Sequence, residues 1–265
     1  MKQFSNKDKQ GMMLIAAVVV LLVLIVAYNM HLTSRPKPDA RSCIAPVVRK
    51  SVFVLDQSDS IPEQTSVEIM RRIREAIDKD VQENELVTIF QVTDEARTAL
   101  RPIFNKCKPK RDGNELTENA RMIQKKFQSE FIEPLDEALS NPPPKSSTSP
   151  IGEILIDLSL TGFLSGENNR LFVFSDLMQN SNNSSLYACQ SADQAIAQFR
   201  AKRTGAVERP TFRNTAVSLN FIPREGITQT ALACRNGFWN WFFGDTEGPN
   251  ASVTPNYLPG GAMMK

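Results

Sequence analysis

Residues 51–61 read SVFVLDQSDSI. Val52 to Leu55 is an unbroken apolar, largely β-branched run, the pattern of a strand buried on both faces. It stops at Asp56, continues through the polar Ser58, Asp59 and Ser60, and meets Pro62, a residue suited to the first turn of a helix. A strand that ends in acids and hydroxyls just before a helix delivers them to the carboxyl end of a sheet. Open α/β sheets bind their ligands at that end, near the point where strand order reverses, and the helix amides face the same loop.

The rest of the chain alternates in the same way. Residues 47–55 read as a strand and 61–78 as a helix with Val67, Met70, Ile73 and Ile77 on its inner face; 86–92 form a second strand. A third strand, 98–104, follows too closely for a crossover helix and is expected to pair antiparallel. Residues 115–139 read as a long helix broken near Pro134, with Met122, Phe127, Phe131 and Leu135 inward. NPPPKSSTSP, residues 141–150, cannot continue it. Then come helix 151–160, strand 170–175, helix 192–202, strand 216–222 and helix 228–243. The fold class expected is α/β: an open, doubly wound, mostly parallel sheet with one antiparallel edge strand.

The spacing of Asp56, Ser58 and Ser60 is D-x-S-x-S, and carboxylate and hydroxyl oxygens are ligands for hard cations such as Mg2+ or Mn2+. Three oxygens are too few. Two other loops at the same end supply more: STSPIGEIL, residues 147–155, brings Thr148 and Ser149 before a helix, and LFVFSDL, residues 171–177, places Asp176 at a strand's end. The same residue types also cap helices, and that reading needs no metal.

With these motifs the chain resembles the von Willebrand factor A family over roughly residues 43–245. The family's metal-ion-dependent adhesion site carries D-x-S-x-S after the first strand, matched here by VFVLDQSDS. It adds a threonine in a second loop and an aspartate after the fourth strand. The resemblance implies that Ser58, Ser60 and a residue of the second loop touch the metal, while Asp56 and Asp176 act through water. Where the family commonly has Gly-Thr-Pro this chain has Thr-Ser-Pro, which leaves Thr148 and Ser149 both as candidates; where the family's aspartate is often followed by glycine, Leu177 stands.

Enzymatic readings are limited by what the chain lacks. A Ser-His-Asp triad or a histidine-bound metal needs histidine in the folded part, and the single histidine, His31, is next to the apolar N-terminal stretch. A haloacid-dehalogenase-like phosphatase needs a carboxylate two residues after Asp56, where Ser58 stands. Gly-rich phosphate-binding motifs are missing, and no cysteine has a neighbouring histidine to activate it. A net charge of +2 makes no electrostatic case for nucleic acid. No catalysis is expected.

Residues 12–30 are uncharged and just long enough to cross a hydrocarbon core of roughly 30 Å. They end in Tyr28, Asn29, Met30 and His31 rather than at small residues, so an uncleaved transmembrane anchor is favoured over a signal peptide. Residues 1–11 are then a cytoplasmic N-terminus and the proline-bearing 31–42 a linker. Lysines and arginines flank the helix almost equally, so the positive-inside rule leaves orientation open. Cys43, Cys107, Cys189 and Cys234 form no C-x-x-C pair; four isolated cysteines suit an oxidising compartment, and four reduced thiols in a cytoplasmic core are the alternative. In a sheet of order 3-2-1-4-5, Cys43 and Cys107 fall at one end, which leaves Cys189 with Cys234.

NGFWNWFFGD, residues 236–245, holds five aromatic residues and reads as core or as a docking patch. Residues 246–265 read as a flexible tail. The function expected is an inner-membrane, single-pass module with its domain in the periplasm, which binds a protein carboxylate through Mg2+ or Mn2+. A metal-free scaffold of a membrane complex is the alternative, and a metal-dependent phosphatase the remote one.

Overall fold

The computed structural model of the chain describes residues 6–33, 36–47, 49–58, 61–93, 100–114, 118–141, 146–182, 184–203 and 205–259. Two compact units result, residues 1–38 and 39–265. The first holds helix α1 (Asn6–Thr33), whose residues Gln10–Tyr28 have a mean hydropathy of 2.9 and are long and apolar enough to cross a membrane. That length and composition suit a membrane span and a signal sequence alike.

In the second unit, among the described residues, six strands form one sheet of order β3-β2-β1-β4-β5-β6. These are β1 (Lys50–Leu55), β2 (Leu86–Gln91), β3 (Phe104–Cys107), β4 (Asn169–Ser175), β5 (Thr215–Phe221) and β6 (Ser252–Tyr257). All neighbours run parallel except β2 and β3, which pair antiparallel with Leu86 opposite Cys107. The third strand is therefore an antiparallel edge, but at 104–107 rather than 98–104. Its first expected residues, 98 and 99, lie outside those described.

β1 and β2 are buried on both faces because helices cover both, while β4 and β5 alternate buried and half-buried residues before their buried carboxyl ends. Val52, Val54, Leu171, Val173, Val217 and Leu219 face α5 (Ile151–Ser159), α6 (Ala192–Ala201) and α7 (Gln229–Phe242). Phe53, Leu55, Ile89 and Phe104 point the other way, onto α2 (Glu63–Lys79) and the helical run of α3 (Ala120–Phe127), a π-helical turn (Gln128–Ile132) and α4 (Glu133–Ser140). The long helix is therefore continuous through Pro134, and the Glu130 carbonyl four residues back, which proline cannot serve, accepts from Lys106 Nζ at 2.9 Å. The register change falls in the π turn before it.

Two expected inner-face residues are corrected. Val67 is 63% exposed, and the stripe of α2 that packs on the sheet is Ile69, Ile73, Ala76 and Ile77. At 3.6 residues per turn Val67 lies about 120° round from Ile73. Met122 is likewise exposed, about 140° round α3 from the buried Phe127. The aromatic segment is core: Phe238, Trp239, Phe242 and Phe243 are buried, with Phe199 edge-on to Phe238 at 5.3 Å.

The expected flexible tail is also corrected. Residues 252–257 form β6, parallel to β5 from Ala216↔Ser252 to Phe221↔Tyr257. Tyr257 stacks on Phe221 at 5.0 Å and Leu258 is buried. β6 offers no apolar period because most of its side chains are exposed, and its backbone pairing, the Tyr257 stack and an Asn256–Ser218 hydrogen bond of 2.8 Å place it. Residues 260–265 lie outside those described.

Two disulfides join Cys43 to Cys107 and Cys189 to Cys234, the pairing expected from strand order.

Candidate metal centre

Strand order reverses between β1 and β4, whose neighbours lie on opposite sides, and Asp56 and Asp176 each follow one of these strands. The Asp56 amide donates to the Phe174 carbonyl at 2.8 Å, so the β1–β4 ladder continues one residue into the loop and fixes the carboxylate at the rim.

Asp56 is 5% exposed, and both of its carboxylate oxygens are engaged. Oδ1 accepts from the Ser58 hydroxyl at 2.8 Å and the Ser58 amide at 3.3 Å; Oδ2 accepts from Ser149 Oγ at 2.8 Å and Ser175 Oγ at 2.7 Å. Three hydroxyls, from the loop after β1, the loop before α5 and the last residue of β4, thus donate to one acid. A hydroxyl whose proton points at a carboxylate keeps its lone pairs for another electrophile, which Ser58 and Ser149 could turn to a cation; Ser175 Oγ, fully buried, already accepts the Leu177 amide.

The second loop is held against the third. Ser149 and Asn180 exchange backbone bonds of 2.6 and 2.9 Å, and the Gly152 amide in the first turn of α5 donates to Gln179 Oε1 at 2.7 Å. Gln179, fully buried, donates in turn to Glu153 at 2.7 Å. Pro150 precedes α5 without a side-chain cap, and Gln179 supplies the acceptor that a capping residue would give. Gln179 and Asn180, where the loop after β4 continues, therefore act as an internal strut for the second loop. Of the two second-loop candidates, Ser149 reaches Asp56, whereas Thr148 Oγ1 lies 3.3 Å from Ser146 Oγ and is half-buried.

Asp176 lines the same cleft as Asp56 and Ser58, a space of about 430 Å3. Its Oδ1 accepts from the Met178 amide at 2.8 Å and its Oδ2 from Arg224 Nη1 at 2.7 Å. Burial pushes its carboxyl above the usual carboxylate range, and the charge of Asp56 adds to the rise; Arg224 and the Met178 amide pull against both. A cation in the cleft would relieve the two acids together.

Leu177 follows in the left-handed region at φ 56°, which costs a non-glycine residue roughly 1–2 kcal/mol. Its amide donates to Ser175 Oγ at 2.8 Å and its carbonyl accepts from Trp239 Nε1 at 2.7 Å. The glycine expected at this position in the resembling family has a physical meaning here: the turn needs positive φ, and burial of Leu177 with two backbone bonds holds it without glycine.

Ser60 lies outside the described residues. Ser175 and Arg224 were not anticipated, although Ser175 immediately precedes Asp176 and Arg224 follows β5 directly at the carboxyl end. Among the described residues no three of His, Cys, Asp and Glu gather as a metal-binding group. The donor set is two carboxylates and several hydroxyls, which suits a hard cation and not zinc.

No family model and no curated protein sequence matches the chain. Solved structures similar to it include the ArnB paralog VWA2 from Sulfolobus acidocaldarius, at TM-score 0.33 and 9% identity over 66% of this chain and 34% of that one. A variant of an aerotolerance-related membrane protein from Bacteroides fragilis NCTC 9343 matches at TM-score 0.34 and 14% identity over 81% and 92%. The human COPII-coat protein Sec24c matches at 0.34 and 11% over 84% and 30%. The chain spans about a third of the first and third of these proteins. At such scores these likenesses carry no weight for family or function; strand order and the rim geometry carry the reading instead.

Proposed function

We propose that this chain is a membrane-anchored, von Willebrand factor A-like module that binds a partner protein's carboxylate through Mg2+ or Mn2+ held at the sheet rim. The single observation that supports it is the set of three hydroxyls turned onto Asp56 from the loop after β1, the loop before α5 and the end of β4. Ser58 and Ser149 would hold the ion, with Ser60 where the resemblance places it, and Asp56 and Asp176 would balance its charge from further out. When bound, the ion supplies an electrophilic centre for an external Glu or Asp. The chain's own residues orient and neutralise; no bond is broken, and the single histidine beside the anchor fits binding rather than catalysis. The anchor is α1, and the two disulfides favour the periplasmic side of an inner membrane.

One observation favours the rival reading, a metal-free scaffold: Arg224 already neutralises Asp176. Thermal unfolding of the full chain in detergent separates them. Millimolar Mg2+ raises the midpoint of the unaltered protein on the first reading, and Asp56→Ala abolishes that rise. An unaltered midpoint that ignores Mg2+ leaves the scaffold. Capture of a partner with and without chelator then tests the carboxylate step.

A further inference from the structure

Arg224 sits where a competitor for the cation belongs. It follows β5 at the carboxyl end of the sheet, lines the cleft with Asp56 and Asp176, and gives Asp176 Oδ2 an ion pair of 2.7 Å. Asp176 Oδ1 accepts the Met178 amide and Oδ2 accepts Arg224, so a cation drawn to Asp176 meets the guanidinium charge beside it. The pair is largely shielded from solvent, with side-chain exposures of 29% and 11%, so a second positive charge beside it is poorly screened. Arg224 also has a second contact: its guanidinium carbon lies 5.0 Å from the centre of the Tyr187 ring, which is 39% exposed. A cation–π contact at the rim gives the side chain a place to stay once its carboxylate is taken.

We propose that Arg224 is an internal counter-cation that competes with the divalent ion for Asp176. Metal entry breaks the Arg224–Asp176 pair and leaves the guanidinium held against Tyr187, still lining the cleft. The metal-free domain is thereby kept from leaving two buried acids uncompensated, and the ion is bound more weakly than its ligands alone would bind it. A freed guanidinium lining the cleft adds a second attraction for an acidic partner, so cation and partner bind cooperatively. The inference rests on the divalent-cation reading.

Calorimetric titration of the full chain in detergent with Mg2+ alone tests it. Arg224→Gln is expected to tighten Mg2+ binding about tenfold, and Arg224→Lys, which keeps the charge, to stay within about threefold of the unaltered protein. Equal or weaker binding by Arg224→Gln, with the unaltered chain binding Mg2+, overturns the competition and leaves the cation site standing. Binding by Arg224→Gln alone supports it in its strongest form, complete exclusion. If neither folded protein binds Mg2+, the cation reading fails and takes the inference with it. Should Arg224→Gln not fold, the Arg224 Nε–Hε NMR signal of the unaltered chain decides: a shift at saturating Mg2+ supports the exchange, and an unmoved signal overturns it.

Discussion

Asp56 is the hub of the rim because both of its oxygens are saturated by donors from different segments, so its loss releases three hydroxyls at once. Which second-loop residue matters was open in the sequence, since Thr148 and Ser149 are adjacent and chemically alike. Burial and direction separate them. Ser149→Ala is expected to cost about 1 kcal/mol of stability without metal, one hydrogen bond's worth, and to weaken Mg2+ binding at least about tenfold; Thr148→Ala should leave Mg2+ binding within about twofold. The reverse order in calorimetric titrations would move the site by one residue. Asp56, Ser58 and Asp176 were legible because a strand that ends in acids and hydroxyls is conspicuous. Ser175 was not, since a serine closing a buried strand reads as part of it, and Arg224 was hidden in IPREG, which reads as a solvated turn. Only the return of β5 to the same rim gives that arginine its acid.

Among the elements, β1 and β2 were legible because burial on both faces leaves an apolar run that little else produces, and β4 and β5 because their alternating pattern ends in a buried stretch. β6 was not, because an edge strand with exposed side chains carries no such signal and is held by backbone pairing to β5. The helix over 120–140 was legible in extent, but Met122 does not share the inner face: within α3, ahead of the π turn, it lies five residues and about 140° round from the buried Phe127. The α6–α7 contact was also invisible in the sequence. A Cβ built on Gly237, in the middle of α7, would lie 2.4 Å from Ala192 Cβ in the first turn of α6, so glycine is there for close approach. In an exposed helix Gly→Ala gains about 1 kcal/mol. Here overpacking of roughly 1–3 kcal/mol opposes it, and Gly237→Ala is expected to destabilise by about 1 kcal/mol net. A urea midpoint that rises instead would show that α6 and α7 are further apart than described.

For the molecule as a whole, strand order does most of the placing. It puts Asp56 and Asp176 together across a reversal point and sends the two disulfides to different jobs. Cys43–Cys107 ties the segment before β1 to the end of β3, at the sheet end away from the cleft. Cys189–Cys234 ties the segment before α6 to α7, where the next residue, Arg235, donates to the Asp176 carbonyl at 3.1 Å and Trp239 to that of Leu177. Closing loops of 64 and 45 residues, the bridges should stabilise by similar amounts, about 4 kcal/mol each as an upper value from chain entropy. In a domain of this size that is about 10 °C in melting temperature per bridge. Their effects on the rim should differ. Serine pairs at 189 and 234 loosen α7 from the Asp176 turn and are expected to weaken Mg2+ binding several-fold, whereas serine pairs at 43 and 107 lower the melting temperature and leave Mg2+ affinity unchanged. Equal losses of affinity from both pairs, compared at a temperature where each remains folded, would mean that the rim senses global stability and that α7 does not position Asp176.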